Sequence, residues 1–408
     1  MAPATAPYDP DVPDLAPSLA ALVAAATDAM VDVRRDLHRH PELGFEEHRT
    51  TKVVTEHLDG LGLAPRRCPT PTGAVYELAG GRPGATVVLR ADLDALPVHE
   101  SPRSDVASLV DGRMHACGHD AHTAAMLGVA SVLAARRGEL PGRYVFVFQP
   151  AEESLGGAKH MVEGGVLDGL DASAVIGCHV TTMAPVGLVA LRDGVLMSEV
   201  RSFSVRARGA GGHGATAGTL GNVLCAVARL AVELDAVVEG MSHDGTACAC
   251  SAGVLAAGTA PNVIPSSATL RGTLRTFTPE QSAAALAALG ARCASIGEAY
   301  HCQLEVVLED HAPAVRNDPG IADVVRAAAR AALGDAQVLD IPPVTPSDDM
   351  SEFLNRVPGC YFFVGAARPD GTSGPHHSPT FALDDRCLPI AATVLATAAV
   401  ELANRASR

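Results

Sequence analysis

Phe203-Ser204-Val205-Arg206-Ala207-Arg208 is the stretch at which the chain changes character. Its apolar residues alternate with polar ones, the period of a strand with one face buried and one wet. Upstream, the strand-like segments are apolar throughout: Thr86-Val87-Val88-Leu89, Tyr144-Val145-Phe146-Val147-Phe148, and Ala174 to Cys178. Such runs suit strands covered on both faces by helices. Ser18 to His40 reads as one helix with Ser18 as its N-cap after Pro17, and Ala121 to Arg137 as an Ala-rich helix. The first 190 residues thus read as βα alternation, a sheet with helices on both sides.

Downstream, Leu220 to Val238 reads as a helix, then Thr246 to Ala256 and Ala268 to Thr276 as strands. Glu280 to Ala299 follows as a helix opened by Thr278-Pro279, and Cys302, Leu304, Val306 and Leu308 alternate again. The order β-α-β-β-α-β is the split βαβ arrangement of a ferredoxin-like unit. From about Asp318 the chain returns to Ala-rich helix and buried strand, Tyr361-Phe362-Phe363-Val364. The expected fold class is α/β. Residues 1–195 plus 311–408 form a discontinuous domain with a mixed sheet covered by helices on both faces, and 196–310 an inserted ferredoxin-like α+β domain. Met1 to Pro17 reads as a flexible, Pro-rich start.

Composition narrows the functions. The 408 residues are 48% hydrophobic, enough for a large core. Thirty-one basic against 46 acidic side chains give a formal charge of −15, and no Lys/Arg cluster is present, which excludes a basic nucleic-acid surface. Ten cysteines are too few for a disulfide scaffold, so reduced thiols and a cytoplasmic location are expected. The apolar run Leu19 to Ala26 follows Asp9, Asp11 and Asp14, the wrong sign for a secretory signal. Ile390 to Val400 is too short to span a bilayer, so no membrane partner is expected.

The chemistry-bearing residues cluster. Met114-His115-Ala116-Cys117-Gly118-His119-Asp120-Ala121-His122 precedes a helix, and Cys and His two apart suit one metal ion or two adjacent ones. A capped helix start with polar loop residues is the plainer reading. Gln149-Pro150-Ala151-Glu152-Glu153 follows a buried strand, where open α/β sheets place their sites. Side chains of neighbouring residues diverge, so one carboxylate can bind metal while the other works on substrate; a solvated first helical turn is the alternative. Asp92 and Asp94 end the strand Thr86 to Leu89, His179 ends Ala174 to Cys178, and His376-His377-Ser378-Pro379 lies in a Gly/Pro loop.

With these stretches in hand, the chain resembles the M20 metallopeptidase superfamily in its amidohydrolase branch, which includes aminoacylase-like enzymes, hippurate hydrolases and auxin-conjugate hydrolases. The matching segments are Arg35 to Glu47, Arg90-Ala91-Asp92-Leu93-Asp94-Ala95-Leu96-Pro97, Met114 to Asp120 and Phe148 to Glu153. Gly211-Gly212-His213-Gly214-Ala215, Pro261-Asn262-Val263-Ile264-Pro265 and His377-Ser378-Pro379 complete them. The resemblance implies a zinc-peptidase-like catalytic domain. It also implies two divalent metal ions, Zn²⁺ or Mn²⁺, held by Cys117, His119, Glu153, His179 and His377, with Cys117 as bridge. Glu152 is then the general base for a metal-bound water attacking the amide carbonyl, and Asp94 orients a ligating imidazole. The inserted domain resembles a lid and dimer contact, with His213 and Asn262 near the substrate and His213 often serving the neighbouring subunit.

The resemblance further implies hydrolysis of small N-acyl amino acids to a carboxylic acid and an amino acid, by a homodimer or higher homo-oligomer. A dipeptidase on the same scaffold is the alternative. Two readings come from other classes: Cys117 as a metal-free thiol nucleophile, and a non-catalytic binding protein with structural metals. Three departures bear on pocket shape. A Pro usual near Ala217 is missing, Thr181-Thr182 replaces an aromatic and a Pro, and Ser347-Asp348-Asp349-Met350 replaces Ser-Glu-Asp-Phe.

Overall fold

The computed structural model describes residues 15–101, 106–154, 156–215 and 221–405. The Pro-rich start as far as Asp14, the departure at Ala217 and the helix start at Leu220 lie outside the described residues. Two compact units are present. One takes the described residues up to Gly194, Arg316–Ile341 and those from Glu352 onward; the other takes Val195–Val315 and Pro342–Ser351.

The first unit is built on an eight-stranded sheet. Its strands lie side by side in the order Ala64–Pro65, Ala74–Ala79, Pro141–Gln149, Arg82–Asp92, Ala172–Pro185, Gly359–Ala367, Val189–Leu191 and Val338–Asp340. The central four, Pro141–Gln149 to Gly359–Ala367, are parallel. Their apolar runs are buried, as two-sided cover requires. Helix His119–Ala135 packs on Thr27–Arg39 and Cys387–Arg405, and is buried nearly all round, which explains why it lacks a polar face. Parallel strands end together, and Asp92 stands in register with Gln149, so residues after these ends gather at one edge of the sheet.

Several element boundaries differ from expectation. Ser18 to His40 is not one helix: Ala16–Ala25 and Thr27–Arg39 meet at Ala26 with a 54° bend. Ser18 is no cap, because Pro17 already occupies the first turn and Ser18 Oγ donates back to Leu15 O at 2.8 Å. His179 does not end its strand, which runs on to Pro185 through pairing with Gly359–Ala367. His119 and Asp120 stand in the first turn of their helix rather than in the loop before it. The C-terminal apolar run belongs to the longer helix Cys387–Arg405, long and apolar enough for a membrane by composition, yet 72% of its apolar window is buried inside the unit. Leu388, Ala392, Val394, Leu395 and Ala399 are core residues there.

The second unit carries a four-stranded antiparallel sheet in the order Ala249–Ala257, Ser267–Thr276, Glu199–Arg208 and Gln303–Ala312. This is the strand order of the split βαβ arrangement. Phe203, Val205 and Ala207 share a core with Leu230, Leu289 and Ile296 of helices Val223–Val232 and Pro279–Ala299. Thr278 caps the second helix through Gln281 N. The helix expected as far as Val238 gives way to a 3₁₀ turn at Leu234–Val237, and the strand expected from Thr246 breaks at Cys248. Pro342–Ser351 joins this unit through Ser198 N to Val344 O (3.1 Å), Thr246 Oγ1 to Pro343 O (2.7 Å) and Arg275 Nη1 to Ser347 Oγ (2.8 Å).

Candidate metal centre

The sheet edge of the first unit gathers the predicted residues. Gly118 adopts φ +92°, and a Cβ there would come within 2.5 Å of Val180 Cγ2, so only glycine fits between Cys117 and His119. The turn brings Cys117, His119 and His179 into one group of potential ligand atoms, and Cys117, Glu153 and His377 into another. Cys117 belongs to both. His179 Nδ1 donates to Val180 O at 2.6 Å, which leaves Nε2 facing Cys117 Sγ at 3.5 Å.

The paired carboxylates are set by their backbone. Ala151 has φ +54°, a left-handed conformation unusual for a residue with a Cβ. Three successive N–H groups there are captured by two buried carboxylates. Ala151 N donates to Glu47 Oε1 (2.8 Å), Glu152 N to Asp94 Oδ1 (3.0 Å) and Glu153 N to Asp94 Oδ2 (3.0 Å). Burial, with Asp94 beside it, raises the Glu47 carboxyl above its ordinary range, although Thr72 Oγ1 donates to it at 2.6 Å. Asp94 Oδ1 also lies 3.3 Å from His119 Nδ1, so one carboxylate orients both the imidazole and the acidic pair. His377 is a second left-handed residue (φ 61°), tied by its N–H to Ala116 O at 2.8 Å.

Deeper in the sheet lies a saturated polar network. Arg90 donates to Gln149 Oε1 (2.7 Å), Asp92 Oδ2 (2.9 Å) and the Tyr361 hydroxyl (3.3 Å). Asp92 Oδ1 accepts from His122 Nδ1 at 2.6 Å, and His122 Nε2 accepts from Val180 N at 2.8 Å. Burial opposes ionisation of Asp92, but His119, His122 and Arg90 outweigh it and hold the carboxyl well below its usual range.

The residues fit a metal pair. His119 Nε2 and Glu153 Oε1 are buried without a hydrogen-bond partner and stand 3.8 Å apart. His377 Nε2 is 3.4 Å from the same Glu153 oxygen. Two ligands roughly 2.0–2.3 Å from one tetrahedral ion sit about 3.3–3.8 Å apart. These gaps suit atoms converging on a cation. Burial disfavours a charged His119, yet the charge of Asp92 and the thiol of Cys117 raise it well above its ordinary value; the same field favours any cation placed there. Burial, with Glu153 adding, pushes the Cys117 thiol up. A metal is what makes such a thiol a thiolate, and a metal-free thiol nucleophile is disfavoured.

The sequence profile of Peptidase family M20/M25/M40 matches residues 88–401. The chain belongs to this family. It is 36% identical to an N-acetylcysteine deacetylase of Bacillus subtilis (strain 168), over 91% of this chain and 96% of that one. It is 34% identical to thermostable carboxypeptidase 1 of Saccharolobus solfataricus, over 96% and 100% of the two chains. The solved structure of a Bacillus subtilis dinuclear metal binding peptidase from the M20 family superposes with a TM-score of 0.79 at 33% identity, covering 93% of this chain and 99% of that one.

In this M20 chain Cys117, His119, Glu152, Glu153, His179, His377 and Asp94 all lie in the first unit. His213 and Asn262 belong to the second. There strand Gly212–His213 pairs with Val263–Ile264, Gly214 N donates to Asn262 O at 2.8 Å, and both side chains are exposed. Sequence reasoning missed Glu47, Arg90, Gln149 and His122 as supports. Arg90 and Gln149 left a trace, as polar residues bounding otherwise apolar strands, whereas nothing local to Glu47 points to Ala151.

Proposed function

We propose that this M20-family amidohydrolase cleaves the amide bond of small N-acyl amino acids, releasing a carboxylic acid and an amino acid. The observation that carries the reading is the pair of ligand groups sharing Cys117, with Glu152 beside them on the same backbone turn as Glu153. Cys117, His119, Glu153, His179 and His377 would hold two divalent ions, Zn²⁺ or Mn²⁺, with Cys117 available to both groups. When bound, such ions polarise the carbonyl and acidify water. Glu152 takes the proton of the attacking water and returns it to the leaving nitrogen, which needs a buried carboxylate held in place. Asp94 provides that hold through both backbone N–H groups and fixes the His119 ring. A closed structural site would leave Glu152 without a task.

His213 and Asn262 contact the substrate, and residues 196–310 serve as lid and dimerisation domain of a homodimer. Ten unpaired thiols fit a reducing, cytoplasmic setting. The likeness to a carboxypeptidase favours a second reading, cleavage of small peptides by the same residues. Metal analysis with a panel of N-acylated amino acids and free dipeptides separates the two. Glu152→Gln keeps both metals and loses at least ~100-fold in kcat, whereas Glu153→Gln loses metal. Identical behaviour of the two variants overturns the assignment.

A further inference from the structure

His376 precedes the expected ligand His377, and its two ring nitrogens have different partners. Nε2 accepts a hydrogen bond from the backbone N–H of Thr182 at 3.3 Å. That bond uses the Nε2 lone pair, so in a neutral ring the proton sits on Nδ1. Nδ1 lies 3.7 Å from Cys117 Sγ. The ring is wedged, with Phe381 at 4.9 Å and His179 at 5.5 Å between centroids. Thr182 is itself held, its Oγ1 donating to Gly374 O at 3.0 Å across the loop that carries His376. A proline at 182 would have no N–H to give, so the Thr181-Thr182 departure supplies the group that selects the tautomer.

We propose that His376 is a positioning residue whose Nδ1–H donates to the sulfur of Cys117 and tunes it as a metal ligand. The proposal rests on the reading of Cys117 as a metal ligand. An N–H aimed at a sulfur ligand engages one of its lone pairs and lowers the energy of its donor electrons. It also restricts the ways the sulfur can face its ions. Because both ring nitrogens are engaged, His376 is not a ligand, which distinguishes it from His377 next to it. Partners of this kind carry a ~10–100-fold share of metal affinity.

The test uses the full-length protein loaded with Co²⁺, reading the sulfur-to-cobalt charge-transfer band, metal stoichiometry and affinity against a competing chelator. His376→Phe keeps the aromatic packing and removes the donor. His376→Asn places an amide N–H near the Nδ1 position but is a poor ligand. His376→Phe is expected to bind two ions per chain, with the band moved to lower energy and affinity down ~10–100-fold. His376→Asn restores both towards wild type. A band and affinity unchanged in His376→Phe overturn the proposal, as does loss of one ion, which would make His376 a ligand. Absence of the band from the loaded wild type instead overturns the reading of Cys117. Circular dichroism melting checks that each variant is folded, and if His376→Phe is not, His376→Leu provides the donor-free arm.

Discussion

Asp92 and Glu153 are carboxylates of the same sheet edge, and their surroundings are opposite. Both oxygens of Asp92 are taken, one by His122 and one by Arg90, and the guanidinium is in turn taken by Gln149 and Tyr361. Glu153 Oε1 is buried with no hydrogen bond, facing His119 Nε2, which has none either. A saturated buried network stabilises and orients, whereas orphaned groups carry an uncompensated desolvation cost that folding alone does not recover. The difference separates scaffold from the proposed ligand site. Asp92 holds His122, His122 holds the Val180 N–H, and the neighbouring His179 faces Cys117 with Nε2.

The contrast breaks most readily at Arg90. Arg90→Leu strips the buried cation from Asp92 Oδ2 while His122 still holds Oδ1, and should cost about 3–5 kcal/mol in urea unfolding. A loss below 1 kcal/mol would mean that the network does not bear on stability.

His115 comes next. Its two ring nitrogens are buried without hydrogen bonds, and burial pulls its pKa down to about 4. In the unfolded chain an imidazole takes up its proton near 6.5. Stability from the neutral ring is therefore complete above about pH 6.5 and drains away as pH falls towards 4, by up to about 3 kcal/mol. His115→Phe should flatten that part of the pH profile; an identical slope in the variant would sink the attribution.

A smaller effect is expected at Glu47. Glu47→Ala orphans the Ala151 N–H and should cost about 1–3 kcal/mol. Because Ala151 then relaxes from its left-handed conformation, kcat should fall as well, and adding Ala151→Gly should recover part of the loss. The smallest change sharpens the comparison from the other side. In metal-free protein, Glu153→Gln removes a charge that has no hydrogen-bonded partner at Oε1, so stability should hold or rise by up to about 1 kcal/mol while metal binding is lost. A destabilisation matching Arg90→Leu would erase the distinction between the two regions.

Much of this was legible locally. Apolar runs announced the parallel strands, alternation after Phe203 announced the half-buried sheet of the second unit, and Thr278-Pro279 announced a helix start that the structure keeps. The family motifs named the Cys117, Glu152, Glu153, His179 and His377 set, because ligand chemistry restricts residue type at each position. Elements failed where their ends depend on partners. Pairing with Gly359–Ala367 carried the strand of His179 on to Pro185, and the bend at Ala26 split a periodic segment that reads as one helix.

The sequence by itself determined which residues are able to carry charge, ligate or stay apolar, and the period with which they recur. Tertiary structure decided which of them are satisfied. Glu47 lies 104 residues from Ala151, Arg90 lies 271 from Tyr361, and Cys117 lies 259 from His376. Hydrogen bonding and desolvation act across a few ångströms of space and are indifferent to separation along the chain. Whether a buried carboxylate is a strut or a ligand is therefore written only in what the fold brings beside it.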